Sequence, residues 1–195
     1  MTDSATRARE GKPREGKRER LVAAARHVLH RQGVEKTTLA DIAGAADVPV
    51  GNVYYYFKTK DDLIEAAIES QIEDIEELLE ALNQEQTPQS RLKGLTRELF
   101  GQADLVARYG CPVGSLCSEL DKRDDRVEQT GARLLSLPLA WLEEQFRAMG
   151  RSDADELAIA LLASYQGNAL LTNTFRDPNI MARESDRLER WIDSL

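Results

Sequence analysis

Cysteine is nearly absent from this chain of 195 residues, which has only Cys111 and Cys117. Two cysteines cannot build a disulfide framework, so the small secreted scaffolds that rely on one are excluded. Proline and glycine are also sparse, at 6 and 12 residues, which excludes collagen-like and low-complexity linker architectures. Polar residues interrupt every apolar run before it reaches membrane-spanning length, so no membrane partner is expected. The Arg-, Lys- and Glu-rich N-terminus lacks the apolar stretch of a secretory signal, and the expected location is the cytoplasm. Missing too are a glycine-rich phosphate loop, a His-Glu-x-x-His zinc signature and a Gly-x-Ser-x-Gly nucleophile elbow. No catalytic residue, cofactor or metal is therefore assigned, and the chain is not read as an enzyme.

What is present is charge, unevenly placed. The net charge is −8, yet residues 1–60 hold 12 Lys and Arg against 7 Asp and Glu, while residues 61–195 hold 14 against 27. A basic first quarter on an acidic body suggests a small nucleic-acid module joined to a body that must stay off the nucleic acid. Arg7, Arg9, Lys12, Arg14, Lys17 and Arg18 supply half of that basic charge, and an incidental basic tail would give the same asymmetry. Charge alone leaves both readings open. The acidic runs Glu73, Asp74, Glu76, Glu77, Glu80 and Asp121, Asp124, Asp125 read as solvated faces.

Periodicity gives an all-α chain without strands or internal repeats. Residues 1–16 have almost no apolar side chain and are expected to form a disordered basic arm. Leu21, Ala24, Ala25, Val28 and Leu29 then fall on one helical face, ended by Gly33. Thr38 and Asp41 form a capping box for a short second helix, and Asp47, a residue tolerant of positive φ, leads through Val48 to Pro49 at the start of a third. Two short helices so closely joined make a helix-turn-helix. The module is thus expected over residues 17–63. A fourth helix at about 59–82, capped by Thr59 and Asp62, would connect it rigidly to a helical body over 64–195. In that body, helices are expected at 88–109, 112–122, 124–149, 153–176 and 179–194.

The third helix carries Tyr54, Tyr55 and Tyr56 about 100° apart around its axis, so all three cannot be buried. An outward tyrosine can offer its hydroxyl to a phosphate and its ring edge to a thymine methyl. Gly51 permits close backbone approach to a duplex, and Asn52 can pair with an adenine edge. The run Thr37-Thr38-Leu39-Ala40-Asp41-Ile42-Ala43, followed by Val48 through Lys60 and by Leu63, resembles the DNA-binding domain of the TetR (tetracycline-repressor-like) family of bacterial regulators over about residues 18–65. Tyr109 through Leu116 resembles a stretch found in one branch of that family. Asp47 stands where the family usually has Gly, and Pro49 where it usually has Ser, which removes one N–H and one hydroxyl from possible phosphate contacts.

The resemblance implies an N-terminal three-helix DNA-binding domain and a larger C-terminal domain for effector binding and dimerisation. It implies groove contacts from Val50, Gly51, Asn52 and Tyr55, and phosphate contacts from Thr37, Thr38, Tyr54, Tyr56 and Lys60. The implied partners are a double-stranded DNA operator, a second copy of the chain and a small, largely apolar effector. Phe100, Tyr109, Cys117, Trp141, Tyr165 and Phe175 are the candidate effector lining, although aromatic residues at helical spacing also build ordinary cores. Dimerisation is expected through the helices at 124–149 and 153–176, with Ala160, Ala163, Ser164, Gly167 and Ala169 permitting close approach.

Two further candidates come from the residues themselves. His27 and His30, three apart, lack a third ligand and read as a solvated pair rather than a metal site. Cys111, ahead of Pro112, is placed for a helix N-terminus, where a thiol gains reactivity, so a thiol-based sensor of oxidants or electrophiles is one alternative. Another is a helical ligand-binding or enzymatic body with a vestigial DNA module, which salt-dependent DNA binding would separate from a working regulator.

Overall fold

The computed structural model describes residues 16–121 and 126–195. The arm expected over residues 1–16 therefore lies, except for Gly16, outside the described residues, as do Asp124 and Asp125. The described residues form ten helices: α1 (Lys17–Lys36), α2 (Leu39–Ala45), α3 (Val50–Tyr56), α4 (Lys60–Leu82), α5 (Pro88–Phe100), α6 (Ala103–Tyr109), α7 (Pro112–Leu120), α8 (Arg126–Ala148), α9 (Ala154–Phe175) and α10 (Asn179–Asp193). No strand occurs among the described residues.

Local chemistry sets the element boundaries. Gly33 breaks α1 at φ 82°, ψ 170°, a region open to glycine and costly for any residue with a Cβ. The capping boxes form as expected, with Thr38 accepting from the Asp41 amide and Thr59 from the Asp62 amide. Hydrogen bonds from the Thr38 side chain and amide hold the Asp41 carboxyl below its usual range. Asp47 takes positive φ (51°) between α2 and α3, the role expected of it. The single helix expected over 88–109 is instead two. The Gly101 amide still closes the last turn of α5 on the Arg97 carbonyl, and the break comes at Gln102, which leaves helical geometry at ψ 21°.

The core is not divided at residue 63. Leu21, Ile42, Val53, Leu63 and Ile64 fill the space among α1–α4, and the same cluster continues through Ile68 and Ile72 to Leu116, Leu120 and Leu134 of α7 and α8. A second cluster, with Leu92, Leu142, Phe146, Leu161 and Ile192 at its centre, binds α5, α8, α9 and α10 and receives Leu79 from α4. Ile75 packs against both clusters. With 23 residues, α4 is about 35 Å long. It runs from the helix-turn-helix into the body, its apolar side buried from Leu63 to Ile72 and half-buried at Ile75 and Leu78.

Side chains of the body also reach back to α1. Glu119 of α7 accepts the Val34 amide at 2.6 Å, Lys60 donates to the Val34 carbonyl, and the Thr37 hydroxyl donates to the Gly33 carbonyl at 2.6 Å. The Gly33–Val34 kink is thus held from α7, from α4 and from the start of the α2 turn. The uncharged stretch 157–175 falls in α9 and is broken by Ser164, Gln166, Asn168 and Asn173. Among the described residues no helix is long and apolar enough to cross a membrane.

A Cβ on Gly33 would come within 2.7 Å of the Glu119 carboxylate, in addition to the backbone cost of its positive φ. Gly33→Ala is expected to lower stability by about 1–3 kcal/mol, measured by urea unfolding. Gly150→Ala, at the same φ of 82° but with open space around its Cβ position, should lose less. Equal losses would remove the Glu119 contact from the account.

Candidate nucleic-acid interface and ligand chamber

The helix α3 is seven residues long and anchored by one buried side chain, Val53. Val48 before it and Phe57 after it are buried too, which pins both ends and leaves the rest of the helix outward. Tyr55 is 78% exposed, Tyr54 53% and Val50 44%, an apolar and aromatic surface turned outward. Tyr56 is half-buried and meets Tyr55 edge-on, with ring centroids 4.9 Å apart. Nothing lies within 4 Å of a Cβ built on Gly51, so the chain itself does not require glycine there. Asn52 is half-buried at the first turn, where its amide N–H donates to the Pro49 carbonyl.

The residues expected at phosphates divide into two groups. Thr38 and Tyr54 are exposed, and Lys60 is half-buried with one donor committed to the Val34 carbonyl and two remaining. Thr37 is a correction. It is 1% exposed and its hydroxyl is used on Gly33, so the side chain braces the kink instead of reaching outward.

In the body a chamber of about 550 Å³ lies among α1, α4, α5, α7, α8 and α9. Leu78, Leu95, Leu99, Leu135 and Leu162 make its walls predominantly aliphatic. Pro138, inside α8, also lines it and leaves the Leu134 carbonyl without its helical N–H donor. Of the six residues expected to line an effector site, Tyr165 does so. Phe100 is buried behind it, edge-on at 5.4 Å between ring centroids, and Tyr109 faces a separate crevice. Neither of these lines the chamber, and the other three do not either. Cys117 packs into the α7–α8 seam, where burial pushes its thiol up to about 11 and its S–H points to the Gly131 carbonyl. Trp141 packs in the second core cluster and donates to the Asn83 side chain at 2.9 Å. Phe175, at the end of α9, is 65% exposed on the outer side.

Cys111 is buried in the chamber wall and caps α7, its sulfur accepting the Gly114 amide at 3.2 Å. The Tyr165 hydroxyl approaches the same sulfur at 3.5 Å, and burial raises the phenol's pKa further above its ordinary value. His27 and His30 do not form a solvated pair. His27 is exposed, but the His30 ring is half-buried, with Nε2 2.8 Å from the Gly110 carbonyl and the ring edge-on to Tyr109. Periodicity missed Gln71, Leu78 and the α1 residues Ala23, Arg26 and His30 as chamber wall. The signal on α4 was available, since residues 71, 75, 78 and 79 share one helical face. The α1 contribution had none, because it depends on where the body packs.

This geometry has known counterparts. Residues 21–67, which contain the helix-turn-helix, match the family model described as bacterial regulatory proteins, tetR family. That stretch is a TetR-family DNA-binding domain. It is 28% identical over 188 residues to the HTH-type transcriptional regulator TtgR of Pseudomonas putida, with 91% of this chain and 88% of that one covered. A TetR transcriptional regulator from Legionella pneumophila superposes with a TM-score of 0.83 at 18% identity, over 94% of this chain and 98% of the other. The regulatory protein TetR from Rhodobacter sphaeroides superposes with a TM-score of 0.76 at 26% identity, over 88% and 96%. The chain thus carries a TetR-type helix-turn-helix, with α3 as the second helix of the motif, in a fold shared with TetR-family transcriptional regulators.

His30 connects the α1 of that motif to the body, and its pKa is lowered from 6.5 chiefly by burial, with His27 adding to the shift and the Gly110 carbonyl opposing it. Below pH 6.5 the unfolded chain takes up a proton that the folded chain resists. The His30 contribution is therefore complete above about that pH and is lost as acidification passes through the lower folded value. His30→Gln, which keeps a donor for Gly110, should flatten the loss of stability between about pH 7.5 and about pH 5.5 in urea titrations. An unchanged slope would remove His30 as its source.

Proposed function

We propose that this TetR-family regulator is a ligand-responsive repressor that acts as a homodimer and releases a pseudo-palindromic operator when a small, largely apolar effector fills the α1–α4–α8 chamber. The observation that carries the reading is the continuity of α4, whose Leu63 and Ile64 pack under the helix-turn-helix and whose Ile75, Leu78 and Leu79 line the chamber. A molecule that moves this wall tilts the same rigid helix that seats α3. Ligand and operator then oppose each other by one coupling free energy. The chamber volume of about 550 Å³ falls within the range typical of small-molecule sites.

In this reading Val50, Gly51, Asn52 and Tyr55 meet base edges, while Thr38, Tyr54, Tyr56 and Lys60 meet phosphates. The open space over Gly51 supports close approach of a duplex, since no described residue lies within 4 Å of a Cβ placed there. Asn52→Ala should weaken operator binding by about 1–3 kcal/mol and leave binding to random DNA unchanged, as measured by fluorescence anisotropy. An equal loss on both DNAs would refute the base contact.

Support for the dimer comes from α9. Ile159, Leu170, Leu171 and Phe175 are exposed large apolar side chains on this helix, with exposed Ala160, Ala163 and Gly167 between them. Ser164 and Ala169, also expected at this surface, face inward: Ser164 donates to Glu184 of α10 and Ala169 is buried. An apolar stripe of this kind on α9, beside α8, fits an isologous four-helix contact. Leu170→Glu should shift the protein toward monomer in analytical ultracentrifugation and abolish cooperative occupation of the two operator half-sites. A variant that remains dimeric would place the interface elsewhere.

A further inference from the structure

Behind the apolar chamber lies a second space of different character. A crevice of about 320 Å³ opens between α1 and α7, and Arg26, His30, Gln71 and Pro112 line both it and the chamber, forming the partition between them. On the crevice side α1 contributes Arg31 and Lys36, and α7 contributes Ser115 and Glu119.

The charges on the two sides do not cancel. Arg26 is paired with Asp74 and also donates to Ser70, so this cation is already matched. The Glu119 carboxylate is turned onto the Val34 amide. Arg31 lies 5.3 Å over the Tyr109 ring and donates toward His27 at 3.3 Å, while Lys36 makes no ion pair among the described residues. With Arg26 balanced by Asp74, Arg31 and Lys36 face, among the described residues lining the crevice, the single carboxylate of Glu119, which leaves an excess of one positive charge in that lining. Among the described residues Asp74 is the only carboxylate lining the chamber, and it is engaged by Arg26. The partition is also passable. His30 is fixed on the Gly110 carbonyl, but the Gln71 side chain makes no hydrogen bond among the described residues and can turn aside.

We propose that the effector is an amphipathic monoanion, its apolar part in the chamber and its anionic head past Gln71 in the crevice, beside Arg31 and Lys36. The inference rests on the chamber being the effector site and adds the class of molecule it takes. Hydrocarbon in the chamber supplies most of the binding free energy, and the head group selects charge. Because α1 belongs to the DNA-binding module and α7 to the body, such a ligand touches both, and its head lies next to Glu119, one of the groups that hold the Gly33–Val34 kink.

Three probes with the same tail separate the possibilities: dodecanoate, dodecanol and dodecyltrimethylammonium, titrated below their micellar concentrations into the full chain by isothermal calorimetry. Dodecanoate should bind about three- to tenfold more tightly than dodecanol, and dodecyltrimethylammonium most weakly. Raising the salt concentration should reduce the dodecanoate advantage alone. Lys36→Gln and Arg31→Gln should each remove part of that advantage while leaving dodecanol affinity unchanged, and Lys36→Glu should remove more. Equal binding of dodecanoate and dodecanol, or an equal loss of both in the variants, would overturn the head-group site and leave the chamber intact as an apolar site. Failure of all three probes to bind would overturn the inference together with the chamber reading on which it stands.

Discussion

The structure depends on one buried stripe, the apolar side of α4. Leu63, Ile64, Ile68 and Ile72 are all sealed in the cluster that contains the helix-turn-helix core and the inner faces of α7 and α8. A fully buried aliphatic side chain contributes about 1.5–3 kcal/mol relative to an exposed one, so separating the module from the body would expose several such contributions at once. Although α1–α3 carry their own sequence motif, they share their core with the regulatory domain. That sharing puts the packing beneath α3 and the wall of the chamber on one continuous helix.

Smaller polar contacts set the geometry that the core leaves free. Hydrophobic packing is non-directional and would tolerate a small rotation of α1 over α7. The Glu119 bond to the Val34 amide and the His30 contact with the Gly110 carbonyl are directional, and both span from module to body. The first is possible because Gly33 leaves helical geometry and turns the next amide out of the α1 ladder. Backbone conformation, charge and domain orientation are coupled at that one kink.

The outer surface is organised by the same division. Tyr54 and Tyr55 protrude from the basic module, and the apolar residues of α9 protrude from the opposite end of the sequence. Between them the carboxylates of α4, among them Glu73, Glu76, Glu77 and Glu80, are exposed. An acidic body limits non-specific attraction to a polyanion and leaves approach to the module as the favoured orientation.

Residues that act through their neighbours in sequence were legible directly. The two capping boxes, the break at Gly33, the positive φ of Asp47 and the outward tyrosines of α3 follow from spacings of one to four residues, and each appears as expected. The helical class and the helix-turn-helix follow from the same local rules. The tertiary structure alone decided which apolar residues line a cavity and which merely fill the core. Trp141 and Cys117 have the composition of a ligand site but pack into seams, whereas Leu78, Pro138 and α1 itself form the chamber wall. Periodicity identifies the buried side of a helix, but a cavity arises where buried sides of several helices fail to meet. That depends on crossing angles and helix ends set by contacts distant in sequence, such as Gln102 breaking α5 from α6 and Glu119 reaching across to Val34.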